Sequence, residues 1–337
     1  MKAPLTPTEN STLAIPAQSD LAKLVKRSKL FLIDEATMLN GYQLEALDRT
    51  LRDLMGKPDK PFGDKIIILA GDFRQCLPVI AGATRAGIVQ RCVNQSILWN
   101  AFKILKLSQN MRVHASGDAD LEAFDKWTLD IGNGQSEAIK VPWNMIATQI
   151  ISNSKENSAS EGKSMEEFCS KIFPNLADNK DDSDWLYGRA ILATTNKEVA
   201  MLNDINSSKL PGNTSVFKSA DELLNRQDLL RFNVEYLNSL NPNGFPPHSL
   251  NLKPGMLLML IRNLNPREGL CNGTKLVFVR SFDNKVLQCK VSGTERTVLI
   301  PRIVMFPKIG EYPFEWARRQ FPVKPSFAMT VNKSQGK

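Results

Sequence analysis

The chain has 337 residues, room for two or three domains, and its 42% hydrophobic and 23% charged residues are typical of a globular protein. No apolar run reaches about 18 residues and the first residues lack an apolar core, so we expect neither a membrane span nor a signal peptide. The net charge of +8 and pI of about 9.2 fit a polyanionic partner, although many globular proteins are this basic. The five cysteines show no C-x-x-C spacing, which favours buried free thiols over a zinc site.

A strand–helix–strand unit is predicted in the first hundred residues, after a short amphipathic helix that ends before residue 30. Residues 30–33 and 66–70 are continuous apolar runs, which suit strands buried on both faces of a parallel sheet. Between them, leucines recur on one helical face over residues 44–55, and Gly56 follows as a C-cap. This order predicts parallel strands with a right-handed crossover. A helix near residues 96–102 and a strand near residues 103–107 are expected next.

Both predicted strands end at acidic residues. Asp34-Glu35 follows the first strand, and Gly71-Asp72 follows the second, with Gln75 close behind. In open α/β sheets, ligands bind at the carboxyl ends of the strands. A nucleoside triphosphatase needs one carboxylate for Mg²⁺ and another to activate the attacking water. The alternatives are a solvated strand end for the acidic pair, a turn residue for Asp72, and a loop amide that caps a helix for Gln75.

The remainder of the chain divides by composition. Residues 109–212 are predicted to begin a second α/β domain, with a strand at 190–193, a helix around Met201 and an exposed loop at 152–163. Residues 213–325 contain short apolar runs separated by turn signals and are predicted to form a β-rich insertion. The runs are 256–261, 276–280 and 286–291, and the turn signals are Asn272-Gly273, Asp283-Asn284 and Ser292-Gly293.

The segments D-E-A-T-M and G-D-F-R-Q-C-L-P-V resemble two motifs of the PIF-type DNA helicases of superfamily one, and most of all those in Helitron transposons. Further matches follow in family order at residues 105–112, 189–199, 246–256, 260–274 and 328–336. The resemblance implies an α/β fold with two RecA-like parallel-sheet domains. The first (1–108) would be incomplete, and the second (109–212 and 326–337) would carry an SH3-like β-rich insertion at 213–325.

The function implied by the resemblance is ATP-dependent 5′-to-3′ translocation on single-stranded DNA, with ATP and Mg²⁺ as cofactors. DNA repair, recombination, telomere maintenance and transposition are the processes in which such helicases act, and a nuclear location follows. The sequence does not indicate protein partners or oligomeric state, and no membrane partner is expected.

Site roles follow from the same resemblance. Asp34 would bind Mg²⁺, Glu35 would activate the attacking water, and Gln75 would sense the γ-phosphate. Arg112 would be an arginine finger; the alternative is an ordinary surface arginine. Further nucleotide contacts are assigned to Gly71, Asp72, Lys333, Gln335 and Gly336. DNA contacts are assigned to Thr330, Asn332, Lys333, Ser334, Arg318 and Arg319. The family commonly has His where Asn332 stands, so the chain departs from the family pattern at this position.

The predicted DNA contacts also have purely structural interpretations. Residues 330–335 could be a charged helix start, and Arg318-Arg319 a solvated face. Phe314, Trp316 and Phe321 could stack on bases or lie in the core.

No phosphate-binding loop of the form G-x-x-x-x-G-K-[ST] occurs in the chain: Gly162-Lys163-Ser164 fails because Asn157 stands where the first glycine is required. In the family that loop lies upstream, and a final motif follows K-S-Q-G. The chain is therefore expected to be the middle of a helicase, with apolar surface exposed at residues 30–33 and a poorly folding first domain. The alternative is a nucleic-acid-binding remnant without a motor.

Overall fold

The computed structural model describes residue 4 and residues 7–80, 82–115, 117–135, 158–225, 227–242, 244–307 and 311–335. The chain forms two compact units, residues 1–140 and residues 141–337. The predicted domain bounds, including residue 108 as the end of the first domain, stay a prediction. Within the described residues, no helix is both long enough and apolar enough to cross a bilayer.

The first unit is built around the predicted strand–helix–strand motif. Its regular elements are α1 (Asp20–Arg27), β1 (Leu30–Ile33), α2 (Gly41–Met55), β2 (Ile66–Leu69), α3 (Arg85–Gln90), α4 (Met111–His114) and α5 (Ala119–Gly132). Strands β1 and β2 are parallel and in register from Leu30–Ile66 to Ile33–Leu69. Asn40 caps the start of helix α2 in a capping box, and Gly56, whose φ of 62° is left-handed, is its C-cap. The predicted unit and its C-cap are confirmed.

Among the described residues, side chains cover only one face of the β1–β2 sheet. Phe31, Ile33, Ile67 and Leu69 pack against the leucines of α2. On the other face the side chains alternate outward and are 46–66% exposed: Leu30, Leu32, Ile66 and Ile68. The prediction of strands buried on both faces is therefore wrong for the described chain, because a single helical layer covers the sheet. The expected apolar exposure at residues 30–33 is confirmed at Leu30 and Leu32.

The segment after α3 is less regular than predicted. Residues 96–102 contain a short 3₁₀ turn, Trp99–Ala101, in place of the expected helix, and another such turn, Val93–Gln95, precedes it. Residues 103–107 form no strand, and Leu107 is 98% exposed. The apolar pattern of this segment indicated a strand, but no neighbouring strand pairs with it in the described chain.

The second unit combines a small α/β layer with antiparallel sheets. Its regular elements are α6 (Ser158–Ile172), α7 (Ser183–Tyr187), β3 (Ile191–Ala193), α8 (Asn196–Lys209), β4 (Ser215–Lys218), β5 (Ala220–Leu223), α9 (Val234–Ser239), β6 (Ser249–Leu252), β7 (Leu257–Leu260), β8 (Lys275–Phe282), β9 (Val286–Val291), β10 (Thr297–Pro301), β11 (Ile303–Met305), β12 (Trp316–Gln320), β13 (Val323–Pro325), β14 (Ala328–Thr330) and α10 (Val331–Ser334). Residues 158–163 are helical, so the predicted loop at 152–163 is wrong there; its residues 152–157 lie outside the described part.

The α/β layer of this unit joins distant parts of the chain. Strand β14 lies parallel to β3, with Ala328 opposite Ile191. The Asn203 amide of α8 donates to the Ala328 carbonyl at 3.2 Å and accepts from the Ala328 N–H at 3.0 Å. The last described residues therefore rejoin the α/β layer, and the predicted strand at 190–193 and the helix around Met201 are confirmed.

The β-rich part contains a five-stranded antiparallel sheet in the order β10-β9-β8-β7-β13. Asp283 and Asn284, both with positive φ, form the tight β8–β9 turn, as their sequence predicted. Smaller sheets pair β11-β12-β5 and β4-β6. Leucines of β7 and β8 lie in a core shared with the α/β layer. The predicted β-rich runs and the overall α/β class are confirmed.

Candidate active site

The Asp34-Glu35 pair lies where strand β1 ends. Glu35 has a φ of 52°, a left-handed conformation that non-glycine residues rarely adopt, and it caps the 3₁₀ turn Ala36–Met38. The Asp34 carboxylate accepts a hydrogen bond from the Glu35 N–H at 3.0 Å. The Ala36 N–H donates to the Ala70 carbonyl at 2.8 Å, which fixes this turn against the end of β2. Asp34 itself is exposed.

Gly71 lets the two strand ends approach each other. A Cβ at this position would lie 3.2 Å from the backbone nitrogens of both Ala36 and Thr37. Because backbone atoms cannot yield as a flexible side chain can, a side chain here would push the two loops apart. The glycine therefore holds Asp72 next to the Asp34-Glu35 turn, at one edge of the sheet, as the sequence predicted.

Asp72 closes a turn and pairs with Arg74. Its Oδ1 accepts from the Arg74 backbone N–H at 3.0 Å and from Arg74 Nε at 2.9 Å. The hydrogen bond from the Arg74 side chain is the main reason that the pKa of Asp72 is lowered, and Gln75 also donates to this carboxylate. Of the two readings of Asp72, the turn residue is the one that these contacts support. Gln75 is exposed, with its side chain beside the same turn.

Arg74 was missed by sequence reasoning. Helix α5 packs on its stem: a Cβ at Gly132 would lie 3.0 Å from Arg74 Cδ. Asp125 of the same helix contributes to the raised pKa of the Arg74 guanidinium, after the larger effect of Asp72. The Asp-x-Arg spacing was the available signal, but the helix that covers the arginine lies some fifty residues further along the chain.

Two predicted nucleotide contacts, Arg112 and Gly336, lie partly or wholly outside the described part of the chain. Arg112 lies in helix α4, whose start is tied to α5 by a 2.8 Å hydrogen bond from Asn110 to Asp125, but its side chain lies outside the described part. Gly336 lies wholly outside it. The arginine-finger role and the Gly336 contact stay predictions.

The predicted motif at residues 330–335 lies at the end of β14. Thr330 precedes the single-turn helix α10, so the reading as a helix start is correct for its backbone. The Ser334 hydroxyl donates to the Val331 carbonyl at 2.6 Å. Lys333 is exposed, whereas Asn332 and Gln335 are half-buried. These residues belong to the second unit.

Arg318 is not an exposed nucleic-acid contact. Its side chain is fully buried, and its Nε and Nη2 bind both carboxylate oxygens of Asp221 at 2.6–3.1 Å. It also donates to the carbonyls of Pro246 and Leu237. The prediction that Arg318 binds DNA is therefore wrong, because β12 points this side chain inward. The neighbouring Arg319 is exposed.

The aromatic residues near this pair are also internal. Phe314, Trp316 and Phe321 are at most 6% exposed, so the core reading holds for all three. Among the described residues, no three His, Cys, Asp or Glu side chains form a group that could hold a metal ion. Magnesium in nucleotide sites is commonly held by one or two carboxylates with water and phosphate, and Asp34 is the exposed candidate here.

Two family models match the chain. PIF1-like helicase matches residues 1–141, and the 2B domain of the DNA helicase Pif1 matches residues 235–280. Over residues 1–141 the chain is similar to the PIF1-like helicases. The matched ranges contain the Asp34-Glu35 and Gly71–Gln75 segments and part of the β-rich region.

Individual relatives show the same similarity. The ATP-dependent DNA helicase PIF1 of Xenopus laevis is 25% identical over 312 residues, which are 91% of this chain and 41% of that protein. The human protein of the same name is 25% identical over 313 residues, 90% of this chain and 40% of that protein. The chain thus spans about two-fifths of the length of these relatives.

Solved structures confirm the fold. The Pif1 helicase from Candida albicans has a TM-score of 0.61 at 20% identity, covering 94% of this chain and 66% of that one. The Bacteroides Pif1 complex with ADP-AlF3 and single-stranded DNA has a TM-score of 0.62 at 20% identity, covering 98% and 67%. The RecA-like α/β class inferred from the motifs is the class of these neighbours.

Proposed function

We propose that this chain carries part of the motor of an ATP-dependent DNA helicase that moves 5′ to 3′ on single-stranded DNA. The observation that carries the proposal is the strained Glu35 turn packed against Gly71 at the carboxyl edge of β1 and β2. A non-glycine residue in a left-handed conformation costs about 1 kcal/mol or more, and such strain concentrates at functional sites. Curated relatives of the chain are ATP-dependent DNA helicases.

Each residue of this edge takes a specific role in ATP hydrolysis. Asp34 is exposed and would hold Mg²⁺ through water, and Glu35 would orient or deprotonate the attacking water. Gln75 would contact the γ-phosphate, while Asp72 and Arg74 support the turn that carries it. Arg112 would supply positive charge to the transition state. Gly71, Lys333, Gln335 and Gly336 complete the proposed nucleotide contacts.

Single-stranded DNA is the proposed partner. A Bacteroides Pif1 was solved with ADP-AlF3 and single-stranded DNA, which supports ATP and DNA as ligands here. Exposed Lys333 and Arg319 would neutralise phosphates, and Thr330, Asn332 and Ser334 would donate hydrogen bonds to them.

The wider assignments rest on the resemblance. The proposed domains are 1–108, 109–212 with 326–337, and the SH3-like insertion 213–325. A role in DNA repair, recombination or telomere maintenance, a role in transposition with a Helitron-type origin, and a nuclear location are likewise proposals.

The test is ATP hydrolysis by the purified chain with and without a single-stranded oligonucleotide. Glu35→Gln should abolish hydrolysis, a loss of at least about 100-fold for removal of a general base. Glu9→Gln, an equal charge change at an exposed position of the same unit, should have no effect. DNA-stimulated hydrolysis that survives Glu35→Gln would contradict the assignment of Glu35. DNA binding by a folded chain without hydrolysis would favour a nucleic-acid-binding remnant.

A further inference from the structure

A chain of side-chain hydrogen bonds joins three distant segments of the second unit. Ser219 lies at the corner between β4 and β5, and His248 lies directly before β6. The Ser219 hydroxyl is 2.7 Å from Asp221 Oδ1 and 2.8 Å from His248 Nδ1. Asp221 in turn binds Arg318, its partner on the neighbouring strand β12. We call these four residues the His248 cluster; His248 is half-buried, and the other three are buried.

The direction of the hydrogen bonds follows from the carboxylate. Asp221 is paired with a guanidinium and can only accept, so the Ser219 hydroxyl donates its one proton to Asp221. Ser219 Oγ must then accept from His248, which places the proton of the neutral imidazole on Nδ1. A second proton would bind at Nε2 and give the ring a full positive charge. The cluster therefore ends in a neutral histidine whose protonation adds a charge next to a buried ion pair.

The surroundings disfavour that charge. Burial is the main reason that the pKa of His248 is lowered. Asp221 on β5 acts in the opposite direction, whereas Arg318 on β12 and Lys218 on β4 lower the pKa further. The Asp221 carboxylate already accepts from Nε and Nη2 of Arg318, so its charge is shared with a cation that is always present. A charged His248 is therefore easier to form when this residue leaves the cluster.

The backbone of His248 is bound at the same place. Its carbonyl accepts from the Ser219 N–H at 2.8 Å and from the side-chain amide of the buried Gln320 at 3.1 Å. The same amide donates to the Phe217 carbonyl at 2.8 Å. These contacts hold the start of β6 against β12, although β4 and β6 pair in one sheet and β5, β11 and β12 in another. Release of His248 would therefore loosen the junction between the two sheets.

We propose that the His248 cluster is an acid-sensitive switch, in which protonation of His248 favours opening of the junction between the β4–β6 sheet and the β11–β12–β5 sheet. The pKa of His248 is lowered in the closed form and returns toward 6.5 in the open form. The open form therefore binds more protons as pH falls below about 6.5, and the closed form is most stable at neutral pH and above. Neither nucleotide nor DNA takes part, so the proposal is independent of the helicase assignment.

The test is hydrogen exchange of the whole chain between about pH 5 and pH 7.5, followed by mass spectrometry and corrected for the intrinsic pH dependence of exchange. Peptides from β4, β5, β6 and β12 should lose protection as pH falls. Their opening constant should rise by at most about tenfold per pH unit, the limit for uptake of one proton. His248→Gln keeps a neutral N–H donor for Ser219 and should remove this pH dependence. The control is His114→Gln in the first unit, which should leave it unchanged.

A second variant tests the charge without altering a buried residue. Lys218 is exposed, and Lys218→Gln removes one cation that opposes protonation of His248. The loss of protection on acidification should therefore be smaller than in the wild type.

A histidine with a purely structural role would give a different result: its replacement would lower protection at every pH and leave the pH dependence in place. That result, or equal wild-type protection at both ends of the pH range, would overturn the proposal. If His248→Gln does not fold, Lys218→Gln decides, and an acid-induced loss equal to that of the wild type would overturn it.

Discussion

The buried Arg318–Asp221 pair should be the most sensitive point of the second unit. Both side chains are completely buried, and Arg318 directs three of its hydrogen-bond contacts at the Asp221 carboxylate. The hydroxyl of Ser219 donates to the same carboxylate at 2.7 Å. Asp221→Ala would leave a permanently charged guanidinium inside the protein with only two carbonyl acceptors, and Ser219 would lose an acceptor.

The expected cost of Asp221→Ala is about 3–5 kcal/mol of the free energy of unfolding, the usual result of removing one partner from a buried ion pair. Replacing both partners, as Asp221→Leu with Arg318→Met, removes the stranded charge and should recover most of that loss. Urea unfolding followed by tryptophan fluorescence would measure the stability of both variants. The Trp316 ring centroid lies 5.3 Å from Arg318 Cζ and therefore reports on this site. Hydrogen exchange of β12 would assign the change to this unit.

The control is Glu295→Ala, which breaks the Lys290–Glu295 pair at a residue whose side chain is 92% exposed. Exposed pairs contribute little, so this variant should unfold near the wild-type urea midpoint. A urea midpoint for Asp221→Ala equal to that of Glu295→Ala would refute the reasoning, because it would mean that the Arg318 guanidinium is not left buried without a counter-charge. A double variant as unstable as the single one would show that the loss comes from packing.

Further predictions concern the backbone, the core and pH. Gly63→Ala places a Cβ 2.5 Å from the Leu51 carbonyl at a φ of +60° and should cost about 3 kcal/mol, whereas Gly56→Ala, with open space at +62°, should cost about 1 kcal/mol in urea unfolding. Leu51→Ala in the core should cost about 2–5 kcal/mol, but Leu32→Ala, 66% exposed, under about 1 kcal/mol. Burial lowers the pKa of Lys324 from 10.5 to about 8 in the folded chain. Between pH 8 and pH 10.5 the unfolded chain therefore binds more protons at Lys324 than the folded chain does, and the free energy of unfolding of the wild type rises with pH in this range. The stability advantage of Lys324→Met should therefore be largest below pH 8 and shrink toward pH 10; an advantage independent of pH would contradict the burial of a charged Lys324.

Sequence reasoning succeeded where the signal was local. The repeat of leucines in α2, the glycine after it and the Asp283-Asn284 turn each depend on a few adjacent residues, because helix periodicity, C-caps and tight turns are set by nearby backbone and side-chain preferences. The meeting of Asp34-Glu35 with Gly71-Asp72 also followed, since a strand–helix–strand unit places both strand ends at one edge. Residues 103–107 show the limit: their apolar pattern indicated a strand, yet no described strand pairs with them.

The tertiary structure decided which charges are exposed and which are paired. Arg318 and Arg319 are adjacent on β12, but one lies inside against Asp221, 97 residues away, and the other lies outside. By itself, the sequence determined the locally encoded helix, cap and turn, and it placed Asp34-Glu35 and Gly71-Asp72 at the ends of two parallel strands. Burial and charge pairing were decided by the packing of distant segments, because the energy of a charge depends on what surrounds it in space and not on its neighbours along the chain.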